Sequence, residues 1–298
     1  MRFPFRRSLL IASLAVSLAA PLSGAEVPAP EPVQPPSGLS EARYAAVRQG
    51  IVAAGRMAAA HGHRRRAEVL RAMADPARRF LFFDGRDGGR AAEVFGDPAT
   101  AERVAVLVPG SDTSIDRYGR LRSGASALHE ELGGRAAVVA WLGYRTPGTY
   151  EAALLTPDRA DAAAPALRAL VEELVDELGP ARVSLLCHSY GAVVCGRAAP
   201  DLGGVASIVL FGAPGTGTAG PLRTQAPVWA ARAGGDWIAR VPHARFELPF
   251  VTLGLGLDPV DPAAGTRVFP AGNGGHSDYL RPGSPALRAI ARIVSGDA

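Results

Sequence analysis

Lysine does not occur in this chain of 298 residues, and every one of its 32 basic residues is arginine. That bias reads as the codon usage of a GC-rich genome rather than as chemistry. Cysteine is scarce too: Cys187 and Cys195 are the whole complement, too few for a scaffold built on disulfides. A large excess of one charge is also missing once the N-terminus is set apart. Arg2, Arg6 and Arg7 precede residue 26, which leaves 29 basic against 28 acidic residues. The pI near 9.5 therefore gives no reason to expect nucleic acid as a partner. The locally basic HGHRRRAEVLR (61–71) fits one solvated helix face. His61 and His63 have no Cys, Asp or Glu close by to complete a ligand set, so neither a metal nor a cofactor is expected. There is no internal repeat, and nothing in the composition fixes an oligomeric state.

The N-terminus is organised differently from the rest. Arg2, Arg6 and Arg7 form a basic start, Leu9 to Leu22 is an apolar stretch broken by serines and Pro21, and Ser23-Gly24-Ala25 offers small residues for cleavage. Residues 1–25 are therefore expected to be a signal peptide. The apolar stretch is short for a bilayer, so no membrane span is expected after cleavage. The destination implied is secreted or extracytoplasmic, and FRRSLL also resembles a twin-arginine export signal. Residues 26–37 contain five prolines and read as an extended, exposed linker. The domain proper is expected over 38–298, beginning with a helical extension, 38–76, of one or two amphipathic helices.

From residue 79 short apolar runs recur at 79–84, 91–95, 103–110, 136–143, 182–188, 206–215, 226–233 and 266–272. The middle ones are β-branched and apolar on both faces, as strands covered on both sides must be. Helical patterns lie at about 118–132, 158–178 and 190–199, so the rhythm is that of an α/β protein. The predicted architecture is a mostly parallel eight-stranded sheet with helices on both faces. Its first two strands follow one another without a helix and so start it antiparallel. Ligands bind such sheets beyond the carboxyl ends of the strands.

Those ends hold a serine, an aspartate and a histidine in that chain order. In SLLCHSYGAVVCG (184–196) the apolar strand breaks at His188-Ser189-Tyr190-Gly191 before a helix begins. A serine hydroxyl is a weak nucleophile until an imidazole takes its proton, and it must stand clear of the sheet to meet substrate. A tight strand-to-helix turn presents it that way, aims a helix N-terminus at the developing oxyanion, and demands small residues two positions to either side. Gly191 meets that demand. Cys187 stands where glycine is usual.

CHSYG resembles a variant of the G-x-S-x-G nucleophile elbow, and the chain resembles the α/β-hydrolase fold from about residue 79 to its end. VLVPGSDTS, AWLGYRTP, CHSYG and GHSDYL are similar to a largely actinobacterial family of secreted α/β-hydrolases described as a domain of unknown function. The resemblance implies a serine hydrolase with Ser189 as nucleophile, His276 as general base and Asp236 orienting the imidazole. It also implies an oxyanion hole formed by the N–H groups of Ser111 and Tyr190, with Gly110 allowing close approach. Asp258 and Asp261 in LDPVDP rival Asp236 for the acid, and Asp112 and Asp278 are further candidates. His188 is expected to point away from the nucleophile's face in a structural role, and neither His129 nor His243 has a motif around it. Cys195 leans toward Cys187 along the helix, and either a bridge or two buried thiols fits.

The stretch from 206–215 to 226–233 is too short for a large cap. ARFELPFVTLGLGLDPVDPAAG, within 237–265, is apolar enough to wall an acyl pocket. The expected activity is hydrolysis of a small-molecule or lipid ester. Acyl transfer uses the same residues, and a secreted binding protein that kept the fold is the reading from outside enzymology.

Overall fold

The computed structural model describes residues 27–241, 246–248 and 251–298; the expected signal peptide and His243 lie outside the described residues. Eight strands of one sheet emerge in the spatial order β1-β2-β4-β3-β5-β6-β7-β10. The opening hairpin pairs β1 (Arg79–Asp84) with β2 (Arg90–Phe95), and β2 runs antiparallel to β4 (Ala136–Leu142) as well. All remaining pairings are parallel, through β3 (Arg103–Val108), β5 (Val183–His188), β6 (Val205–Phe211), β7 (Val228–Ala231) and β10 (Arg267–Val268). β4 is buried at all seven residues, which explains why AAVVAWL alternates so little. Strand β10 is shorter than the apolar run 266–272 predicts. Phe269 still donates to Ala230 at 3.1 Å, but Pro270 has no N–H to continue the ladder.

Helices α4 (Asp158–Leu178) and α5 (Gly191–Ala198) pack on one face of the sheet. On the other lie α3 (Gly119–Glu131) and α6 (Pro285–Ser295). Helix α6 is absent from the predicted elements, although its signals are local: Ser284 accepts from the Leu287 N–H, Pro285 begins the helix, and Gly296 ends it at φ 85°. A short antiparallel pair, β8 (Phe246–Leu248) with β9 (Val251–Leu253), lies within the segment expected to wall a pocket. Among the described residues no helix is long and apolar enough to cross a membrane.

The N-terminal helices are fastened to this body by arginine. Arg43 of α1 (Glu41–Ala60) donates through Nε to the Leu81 carbonyl at 2.8 Å and pairs with Glu173 of α4. Arg66 of α2 (Arg64–Met73) grips Asp116 with two bonds of 2.7 Å. The proline-rich segment has no regular secondary structure and lies along the body: Val33 sits over Gly50, and Glu31 pairs with Arg86 at 2.7 Å.

The Arg66–Asp116 pair matters to the site because Asp116 lies just beyond Ser111. The hydrogen bonds from Arg66 outweigh partial burial and hold the Asp116 carboxyl below the usual range. A lowered folded-state value means the stabilisation is present above the pKa of an unfolded aspartate, about 4, and is lost as pH falls through the folded value. Arg66→Gln should therefore cost about 1–2 kcal/mol at neutral pH, discounted for the partial exposure of Asp116. Urea melts should show that difference shrinking in acid.

Candidate active site

The turn between β5 and α5 forces Ser189 into the left-handed region, at φ 54°, a conformation costly for a non-glycine residue and common where a side chain must be presented. The closeness of β3 explains the small neighbours. A Cβ on Gly191 would lie 2.6 Å from the Val108 carbonyl oxygen, and one on Gly110 would lie 2.5 Å from the Ser189 Cβ. Gly191→Ala should thus destabilise the protein by about 1–3 kcal/mol through overpacking against rigid backbone, read from thermal melts, with a loss of activity beyond that. Cys187 is accommodated because its side chain turns into the protein, where a disulfide joins it to Cys195 of α5 with a Cα–Cα distance of 6.4 Å. The bridge ties strand to helix across the turn that carries Ser189.

Three strand ends converge on one hydrogen-bonded chain. His276, in the loop after β10, has its Nε2 2.9 Å from the Ser189 Oγ. Its Nδ1 lies 2.9 Å and 3.1 Å from the two carboxylate oxygens of Asp236, in the turn after β7. Asp236 is buried, and it also accepts from the Ile238 N–H at 2.9 Å and the Tyr279 hydroxyl at 2.7 Å. Burial alone would raise its pKa. The bonds from His276, Ile238 and Tyr279 outweigh it and leave the carboxyl below its ordinary value, ionised.

The rival carboxylates are engaged elsewhere. Asp258 pairs with Arg232 at 2.6 Å, and Asp261 caps the Ala263 N–H at 2.8 Å. Asp278 accepts from the Gly275 N–H at 2.8 Å and so shapes the turn leading into His276. Asp112 accepts from the Thr149 N–H at 3.3 Å and donates its own N–H to Pro147 at 3.0 Å. With Thr146 donating to the Thr113 carbonyl at 2.8 Å, these contacts pin the loop that bears Ser111. Among the described residues no acceptor takes the N–H of Ser111 or of Tyr190. The Tyr190 side chain points inward: its hydroxyl donates to the Thr156 carbonyl at 2.7 Å, and burial pushes the phenol up to about 12.

His188 does not face outward beside the nucleophile. It packs behind His276, with ring centroids 4.9 Å apart, and donates from Nε2 to the His276 carbonyl at 2.8 Å. Burial, and then the nearness of His276, lower its pKa to about 4, so it stays neutral and holds the loop by a hydrogen bond. Trp237 and Tyr279 are the neighbours that sequence reasoning missed. Trp237 is 46% exposed and its ring lies 4.8 Å from that of His276. His129 is structural, with Nδ1 3.0 Å from the Ala136 carbonyl. Among the described residues no group of His, Cys, Asp or Glu is placed to hold a metal ion.

A serine held against an imidazole that is itself held by a buried carboxylate, beside two amides that meet no acceptor among the described residues, is equipped for nucleophilic attack on a carbonyl. Among known proteins, the model of the family described as "Alpha/beta hydrolase" matches residues 84–246. This chain belongs to the α/β-hydrolase family. Its similar relatives include the uncharacterized protein Rv2079 of Mycobacterium tuberculosis, 31% identical over 252 residues, covering 72% of this chain and 38% of the relative. Another is the uncharacterized protein Mb0988c of Mycobacterium bovis, 31% identical over 143 residues, covering 42% of this chain and 52% of the relative. This α/β-hydrolase chain thus spans well under two thirds of the length of these relatives. Among solved structures it is similar to esterase PE8 (TM-score 0.48, 16% identity, 70% of this chain and 99% of that one). It is also similar to esterase LipW from Mycobacterium marinum (TM-score 0.46, 16% identity, 88% and 91%).

Proposed function

We propose that this chain is a serine hydrolase that cleaves carboxylic esters through an acyl-enzyme. The observation that carries the reading is the unbroken run from Ser189 Oγ through His276 to Asp236, with 2.9 Å at each link. In this reading His276 takes the Ser189 proton as Oγ attacks the ester carbonyl carbon. The carbonyl oxygen becomes an oxyanion stabilised by the Ser111 and Tyr190 N–H groups. His276 then gives the proton to the leaving alcohol, and the C–O bond to that alcohol breaks. Water, deprotonated by the same imidazole, attacks the acyl-enzyme and regenerates Ser189. Asp236 keeps the Nδ1–H tautomer in place and stabilises the imidazolium.

An apolar acyl group is favoured because Trp237 lies half-exposed against His276 and the segment containing β8 and β9 is rich in apolar residues. Export is part of the proposal: the N-terminal 25 residues have the pattern of a leader, and a disulfide such as Cys187–Cys195 persists in an oxidising compartment. The test is a panel of p-nitrophenyl esters of increasing chain length. Turnover should be measurable, should fall in acid as general-base catalysis does, and should be unchanged by EDTA. Activity abolished by the chelator and restored by zinc would refute the mechanism.

A further inference from the structure

We propose that Tyr279 is a positioning residue that sets the proton affinity of His276 by acting on Asp236, an inference that rests on the serine-hydrolase reading. Tyr279 lies three residues past His276 and is buried, its ring packed 5.4 Å from Phe211 and 5.9 Å from His188. Its hydroxyl accepts the Ala233 N–H at 2.9 Å, which directs the phenolic proton to Asp236 Oδ2 at 2.7 Å. Burial raises the phenol well above its ordinary value, so the group stays a donor wherever an enzyme of this kind works.

Two effects follow. Ala233 ends the β7 side of the site and Tyr279 belongs to the His276 loop, so the phenol fixes acid and base to one another. The donated bond also offsets part of the negative charge that the carboxylate presents to the imidazole through both of its oxygens. Without it the carboxylate would attract the imidazolium more strongly, and His276 would hold its proton to higher pH. His276 is faced by Asp236 from the turn after β7, by Ser189 and His188 from the end of β5, and by Tyr279 from its own loop. Arg120 of α3 acts on His188, and Arg232 acts on Tyr279. Tyr279→Phe leaves all these other groups in place and keeps the ring.

The experiment measures the rate constant for labelling of Ser189 by a fluorophosphonate across pH, using the full chain. In Tyr279→Phe the acidic limb should move to higher pH by roughly half a unit to one unit. In an Asp236→Asn background the same change should add less than about twofold, because a residue acting through Asp236 has nothing left to act through. A slower variant with an unmoved limb would assign Tyr279 to packing alone and overturn the inference. Should Tyr279→Phe not fold, 3-fluorotyrosine at position 279, a stronger donor of the same shape, should move the limb to lower pH; an unmoved limb again overturns it. Wild-type protein that takes no label overturns the serine-hydrolase reading together with this inference. Labelled wild type with an unmoved limb in the variant overturns this inference alone.

Discussion

Ser189→Ala should abolish ester turnover, by on the order of 10⁴-fold or more, while the protein melts close to the wild-type temperature. Among the described residues the hydroxyl makes one hydrogen bond, to His276 Nε2 at 2.9 Å. The Ser189 N–H, which donates to the Phe211 carbonyl at 3.1 Å, is kept by alanine. The left-handed backbone costs alanine about as much as serine, so the strain of the turn is unchanged. Circular dichroism melts alongside turnover assays separate the two effects. Full activity in a clean Ser189→Ala preparation would remove the serine from the chemistry.

Asp236→Asn should be nearly as severe, on the order of 10⁴-fold in kcat. The Ile238 N–H donates to Oδ1 at 2.9 Å, so the asparagine's oxygen must stay there. Its NH₂ group then takes the Oδ2 position and turns toward Tyr279 and the His276 Nδ1. The lost charge no longer stabilises the imidazolium, and an amide donor 3.1 Å from Nδ1, where a second acceptor stood, disfavours the tautomer that leaves Nε2 free to take the Ser189 proton. Asp258→Asn and Asp261→Asn should each cost little in kcat, because the first serves Arg232 and the second caps a turn. Severe loss from either, with a mild Asp236→Asn, would reassign the acid.

Much of this was legible in the chain because buried parallel strands leave a strong mark. RVAVLV, AAVVAWL and VASIVLF are apolar on both faces since helices cover both, and residues following such runs are where a site forms. The elbow was legible for a steric reason: Gly191 lies against the carbonyls of Val108, at the end of β3, and of Pro109, and admits no side chain. Other features depend on tertiary distance. Nothing in GHSDYL shows that the Tyr279 hydroxyl reaches a carboxylate 43 residues earlier. Nor does CHSYG reveal that His188 would turn back to the His276 carbonyl. The sequence leaves the Cys187–Cys195 bridge open because helix-to-strand spacing, which local pattern does not fix, determines whether the two sulfurs meet. Helix α6 is marked in the chain only by its caps, Ser284 with Pro285 at the start and Gly296 at the end, and follows a long loop without strand or helix pattern.

Whether Ser189 forms the covalent bond to substrate is tested most directly by peptide mapping after fluorophosphonate treatment. A serine nucleophile activated by His276 predicts one adduct per chain, on the peptide containing Ser189, absent from both Ser189→Ala and His276→Ala. An adduct on another residue, or one that persists in Ser189→Ala, would contradict it.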